Sequence, residues 1–220
     1  MRKKLTLLQQ GIAPIYEPGL QELLNENSER LQFTSDYESA YKDAEVVFIG
    51  VGTPEKKDGS ANLSYVYKVA GQIAEAIARN CVVVVKSTVP IGTNDKVEAY
   101  MKARMKNDVK IWVASNPEFL AQGTAVRDTL HASRIVIGTE NPEAAKILEE
   151  VYRDFEAPKL FTNRRSAEMI KYASNDFLAL KISYVNEIAN LCEIVGANIC
   201  DVTKGMGSGW CRELPEVLSF

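Results

Sequence analysis

From Ser166 to Gly196 the chain carries one unbroken helical pattern, with no proline in it. No other stretch limits the fold so strongly. Ile170, Phe177, Tyr184 and Leu191 recur at intervals of seven, and Ala173, Leu180, Ile188 and Val195 widen the same apolar stripe. Ser166 is of a type that caps a helix N-terminus, and Gly196 of the type that ends one. Such a helix spans roughly 45 Å at about 1.5 Å per residue. That is too long for one ordinary packing partner, so it is expected to cross between domains or to pair with a second subunit. Near its start, Lys171 and Asn175 lie four apart and share a face. A lysine beside the positive end of the helix dipole gains nothing from it. The pair therefore suits an anionic or polar ligand, or else a plainly solvated face; spacing alone leaves both open.

Upstream of this helix, apolar runs alternate with helical patterns. Leu20 to Asn25 reads as a short helix after Glu17-Pro18-Gly19, and Leu31 to Thr34 as a short strand. Val46 to Val51, Cys81 to Lys86, Ile111 to Ala114 and Arg134 to Gly138 read as strands, the first a continuous apolar run typical of a strand buried on both faces and the second the next buried strand. Leu63 to Arg79, Asn94 to Met105 and a segment opened by Asn141-Pro142 and running to Phe155 read as helices. This rhythm predicts an α/β fold with a parallel sheet and helices on both faces.

In such sheets ligands lie beyond the carboxyl ends of the strands. Three tight polar turns stand there: Gly52-Thr53-Pro54, Ser87 to Thr93, and Ser115 to Leu120. The hydroxyls of Thr53, Ser87 and Thr88 suit phosphate or ribose oxygens, aided by N–H groups of the following helices. Each turn alone also fits an ordinary strand-to-helix connection; three in succession point to a ligand site. The dinucleotide fingerprint is missing. Gly50-Val51-Gly52 is followed by Thr53-Pro54-Glu55, and Gly205-Met206-Gly207-Ser208-Gly209 follows a helix instead of a strand. The pattern reads as the later part of a Rossmann-like nucleotide-binding fold without its first βαβ unit. Val46 to Val51 is then expected to be an open apolar edge, with marginal stability for the chain alone.

Composition narrows the function classes. A net charge of −3 argues against a dedicated nucleic-acid binder. No apolar run is long enough for a membrane helix, and Leu5 to Leu8 is too short for a secretory signal. The four cysteines, Cys81, Cys192, Cys200 and Cys211, form no Cys-x-x-Cys pair, which fits a reducing cytoplasm. With His131 the only histidine, no metal site is expected.

Several segments together resemble the UDP-glucose/GDP-mannose dehydrogenase family. They are Pro14-Ile15-Tyr16-Glu17-Pro18-Gly19-Leu20, Val51 to Pro54, Asp58 to Val66, Ser87 to Thr93, Asn116-Pro117-Glu118-Phe119-Leu120 and Lys171 to Glu187. The likeness spans about residues 5–207, and the Asn116 and Lys171 segments are most similar to the UDP-glucose branch. It implies two successive NAD-dependent oxidations at C6 of UDP-glucose, giving the uronate used in polysaccharide synthesis. By resemblance, Thr53, Pro54, Ser87, Thr88 and Gln122 contact NAD, and Thr88 lies near the catalytic water. Glu118 is the acid/base group, and Lys171 and Asn175 bind substrate and stabilise oxyanions, with Phe119 and Leu120 beside them on the substrate side. The long helix is implied to link domains and build a homodimer.

Departures from the family pattern shape what is expected of this chain. Gln122 stands where the family usually has a glutamate. The likeness ends at about Gly207, before the family's nucleophilic cysteine segment, and Cys211 lacks that context. The expected organisation is an incomplete Rossmann-like NAD-binding domain over residues 1–160, a central helical dimerisation region over 161–207, and a divergent tail over 208–220. The UDP-binding second domain is absent from this reading. The chain alone is expected to be inactive. The alternatives are a non-catalytic fragment that pairs through its helix with an intact dehydrogenase, and a dehydrogenase for a related nucleotide sugar.

Overall fold

A computed structural model describes residues 2–210 of the chain, and the side chains of residues 3–207. Of the expected tail over 208–220, Cys211 and the residues beyond it lie outside the described residues. The chain divides into two compact units, with the boundary between Lys171 and Tyr172.

The first unit opens with three short helices, α1 (Arg2–Gln9), α2 (Leu20–Glu26) and α3 (Tyr37–Lys42). There follow β1 (Val46–Ile49), α4 (Ser64–Ala76), β2 (Cys81–Val85), α5 (Thr93–Lys102), β3 (Ile111–Ser115), α6 (Ala125–Leu130), β4 (Ile135–Gly138), α7 (Pro142–Val151) and β5 (Lys159–Thr162). The sheet order is β1-β2-β3-β4-β5. Alternation along the strands explains why it holds two cores. Cys81, Val83 and Val85 of β2 face Val66, Ala70 and Ile73 of α4 and Val97 and Met101 of α5. Val82 and Val84 point the other way, to Ile135, Ile137, Ala144 and Leu148. Helix α7 starts as its sequence dictates: Asn141 accepts from the N–H groups of Glu143 and Ala144 at 2.9 and 3.0 Å, and Pro142 occupies the first turn.

Four expectations need correction. The sheet is mixed: β1-β2-β3 and β4-β5 are parallel, but β4 meets β3 antiparallel at Ser115 and Gly138. Leu31 to Thr34 is not a strand. It pairs with no strand of the sheet; Gln9 Nε2 donates to the Phe33 carbonyl at 3.0 Å and the Asp36 N–H to Thr34 Oγ1 at 2.9 Å, and an extended segment with no neighbour to pair has no ladder. Strand β1 is not buried on both faces. Its place at the edge of the sheet is as expected, but along it Val47 and Ile49 are buried and Phe48 is exposed. The helices after β1, β2 and β4 end at Ala76, Lys102 and Val151, three or four residues earlier than expected. Strand β5 and helices α1, α3 and α6 were not foreseen.

Helix α8 (Arg164–Val195) starts two residues before Ser166. Asn163, not Ser166, supplies the side-chain acceptor, taking the Ser166 N–H at 2.7 Å. Its other end follows expectation. Gly196 has φ +76°, and the Ala197 N–H returns to the Cys192 carbonyl at 2.9 Å, closing the helix in a Schellman arrangement. In the second unit, the rest of α8 is followed by α9 (Ile199–Trp210). Leu178, Leu180, Ile182, Tyr184, Leu191 and Ile194 of that unit are each more than half exposed. Among the described residues no helix is long and apolar enough to cross a membrane.

Candidate active site

Two groups of the expected residues assemble in the first unit. The first joins the turns after β1 and β2. Thr53 Oγ1 donates to the Thr88 carbonyl at 3.0 Å, and Ser87 Oγ donates to the Val51 carbonyl at 2.6 Å. Each hydroxyl hydrogen is thus committed to the backbone, and what these oxygens retain is acceptor capacity. Thr53, Ser87 and Thr88 are half-buried and Pro54 is exposed. A Cβ built on Gly50 or Gly52 meets nothing within 4 Å, so the backbone at the carboxyl end of β1 is open to close approach. Acceptor-rich turns beside an open backbone fit the ribose and amide donors of a dinucleotide. The residues that would cradle its pyrophosphate, a glycine-rich turn after a strand, are not among those described.

The second group surrounds the turn after β3. Asn116 is 1% exposed. Its Nδ2 donates to the Val136 carbonyl at 2.8 Å, while its Oδ1 accepts from Lys86 Nζ at 3.0 Å and from the Tyr152 hydroxyl. The amide therefore ties β2, β4 and α7 to the start of the turn that carries Glu118. Burial lowers the Lys86 ammonium below the ordinary lysine value, and the Glu118 carboxylate pulls it back up. Burial pushes the Tyr152 phenol up to about 12, so it stays a donor.

Lys171, on the second turn of α8, reaches into this turn. It is 7% exposed. Its Nζ donates to the Glu118 carbonyl at 2.6 Å and stands 3.6 Å from Glu118 Oε1. The Phe119 ring lies under two cations, Arg134 at 4.2 Å and Lys171 at 5.3 Å from its centroid. Lysine carries three donors. The carbonyl contact takes one, which leaves N–H for a ligand oxygen next to a partly exposed carboxylate. A held cation beside a carboxylate suits a reaction in which an oxyanion develops while a proton is removed.

The remaining expected residues stand apart. Leu120 and Gln122 are exposed on the loop that follows Glu118. Asn175 lies in the second unit and is exposed. Two functional neighbours went unremarked in the sequence. Lys86 carried a signal, a lone lysine ending an apolar strand. Glu168 carried one too, a carboxylate one turn before Lys171 on the same helix. It is 2% exposed and accepts from Gly92 N, Asn94 N and Asn94 Nδ2 at 2.5, 2.9 and 2.6 Å. It fastens α8 to the first turn of α5 and the end of the Thr88 loop.

The chain is similar to known proteins over nearly its whole length. Residues 1–156 match the NAD binding domain of the UDP-glucose/GDP-mannose dehydrogenase family, and residues 165–213 match its central domain. The UDP-glucose 6-dehydrogenase YwqF of Bacillus subtilis is 52% identical over 206 residues, which cover 93% of this chain and 47% of that protein. A UDP-glucose dehydrogenase structure from Pyrobaculum islandicum superposes with a TM-score of 0.88 at 43% identity, covering 94% of this chain and 49% of the other. A ternary complex of GDP-mannose dehydrogenase from Pseudomonas aeruginosa gives 0.89 at 36% identity, covering 97% and 50%. The chain thus spans about half the length of the curated relatives it matches.

Proposed function

The chain belongs to the UDP-glucose/GDP-mannose dehydrogenase family, and on that premise we propose that it carries the NAD-binding and central parts of an enzyme that oxidises UDP-glucose to UDP-glucuronate. The observation that carries the reading is the Lys171–Glu118 contact: a nearly buried ammonium held at the backbone of the turn that bears the carboxylate. NAD, when bound, supplies the acceptor for the two hydrides removed from C6 of the sugar. Thr53, Pro54, Ser87, Thr88 and Gln122 would hold that cofactor.

The chain's own groups do the acid–base work. Glu118 takes the proton of the water that ends the second oxidation, with Thr88 beside that water. Lys171 turns a free N–H toward the oxygen on C6 as it gains charge. A cation in place before the charge develops favours the transition state over the ground state. Phe119 and Leu120 flank the sugar, and Asn175 is a substrate-binding donor by the family likeness alone. Cys211 is not assigned as the nucleophile and lies outside the described residues.

The exposed apolar residues of α8 support pairing with a second copy, since a helix with Leu180, Tyr184 and Leu191 open to water gains by burying them. The thiol usage supports a cytoplasmic setting. The test is stoichiometric. Protein carrying this chain is incubated with UDP-glucose and NAD⁺, NADH is followed by absorbance, and the product is weighed by mass spectrometry. Two NADH per UDP-glucuronate are expected. One NADH per sugar, or activity confined to another nucleotide sugar, would overturn the assignment.

A further inference from the structure

The Pro14 to Leu20 segment, part of the family likeness, has no part in the site as described so far. It forms a loop from which Ile15 and Tyr16 project, 56% and 93% exposed, so packing of its own side chains does not hold it. Glu17 turns the other way. Its Oε2 accepts from the Gly123 N–H at 3.0 Å and its Oε1 from the Ala125 N–H at 2.6 Å, across 106 and 108 residues of chain. Both are charge-assisted bonds to backbone donors. Two residues on, Gly19 has φ +82°, and a Cβ there would stand 3.3 Å from Val126 Cγ1. The segment is therefore docked onto the start of α6 at two points.

The loop so grasped is the one that leaves Glu118 and bears Leu120 and Gln122. Its other side is held by Asp128, whose Oδ2 accepts from the Ala121 N–H at 3.1 Å and the Thr124 hydroxyl at 2.6 Å. Alternate backbone amides, at Ala121, Gly123 and Ala125, each end on a carboxylate. Gly123 itself has φ +90°, a conformation that glycine adopts without strain. No apolar packing accounts for the tip, where Leu120, Ala121, Gln122 and Gly123 are all exposed. The two carboxylates take that role.

We propose that Glu17 is a positioning residue for the sugar-nucleotide side of the site, fixing the loop from Phe119 to Thr124 in the form that receives the ligand. This rests on the dehydrogenase reading above. A loop ordered before binding does not lose that freedom on binding. Its release therefore weakens ligand capture more than it slows the chemistry of a captured ligand.

The experiment compares wild type, Glu17→Ala and Glu17→Gln in the protein carrying this chain. Amide hydrogen exchange and steady-state kinetics with UDP-glucose and NAD⁺ are measured together. In Glu17→Ala, exchange at Gly123 and Ala125 accelerates, KM for UDP-glucose rises about tenfold and kcat stays within about twofold. Glu17→Gln keeps one acceptor oxygen and one of the two bonds, and recovers part of the KM. A merely structural role lowers kcat in step with folded protein and leaves KM alone; that result overturns the proposal, as does unchanged exchange at both amides. Wild type without turnover sinks the dehydrogenase reading and this proposal with it. Wild type with turnover, and a KM unmoved in Glu17→Ala, sinks this proposal alone.

Discussion

Lys171 and Glu118, separated by 53 residues of chain, meet through the backbone before they meet through charge. The ammonium donates to the Glu118 carbonyl at 2.6 Å, while the nearer carboxylate oxygen stands 3.6 Å away. The contact fixes the lysine without spending the carboxylate, whose side chain stays 29% exposed. A pair locked in a close salt bridge would have left neither group for a ligand.

The seat of α8 depends on a missing side chain. At Gly138, the last residue of β4, a Cβ would stand 2.5 Å from Ala167 Cβ, 2.9 Å from the Asn163 carbonyl and 3.0 Å from Arg164 Cα. Gly138→Ala is expected to destabilise the chain by about 1–3 kcal/mol, the range for overpacking. Adding Ala167→Gly restores only part, because two of the three contacts are backbone. Urea unfolding of the single and double variants measures this; an unchanged midpoint for Gly138→Ala would contradict the packing described.

Glu168 answers three donors at the first turn of α5. Removing it leaves the two Asn94 donors buried and unpaired, at about 1–3 kcal/mol each where water cannot reach, and frees the partly buried Gly92 N–H. The expected loss in Glu168→Ala is about 3 kcal/mol or more, a fall of about 6–12 °C in Tm for a chain of this size. Glu168→Gln keeps one acceptor and loses less. Differential scanning calorimetry decides; a fall below about 2 °C would mean the three bonds add little.

Much of this was legible in the sequence and some was not, for physical reasons. The long helix announced itself because its period, its freedom from proline and Gly196 are local signals. The turns after β1, β2 and β3 were found because a strand end is a fixed place for a ligand. Leu31 to Thr34 misled because alternating apolarity shows only that a segment could pair, and a segment with no strand beside it forms no ladder. The reversal of β4 was hidden because an apolar run marks a strand but not its direction. Asn163 took the cap from Ser166, and both are capping types. That Lys171 and Glu118 serve one site came from family likeness alone, and their contact was not foreseen, since spacing on one helix cannot report a partner 53 residues away.

Stability should carry the mark of Lys86. Burial lowers its ammonium below the ordinary value of 10.5, with Glu118 opposing. Between the lowered value and 10.5 the unfolded chain binds more protons than the folded one, so this group's contribution to stability rises with pH across that window and is lost as pH falls through the lowered value. In Lys86→Met that slope is gone. Urea midpoints of the two proteins are expected to shift in favour of wild type as pH approaches 10.5. A gap that stays constant would show the lysine to be unperturbed.

The most direct test of the account is NADH formation from UDP-glucose and NAD⁺ by wild type, Lys171→Ala and Glu118→Gln, in protein carrying this chain. The account predicts turnover in wild type. It predicts a fall of about a hundredfold or more in kcat for Lys171→Ala, the loss typical of a removed oxyanion donor. For Glu118→Gln it predicts a block at the water step that ends the second oxidation, with two NADH per enzyme site at most and no steady release of the uronate. Full turnover in either variant would contradict the assignment of the Lys171–Glu118 pair as the chemical centre.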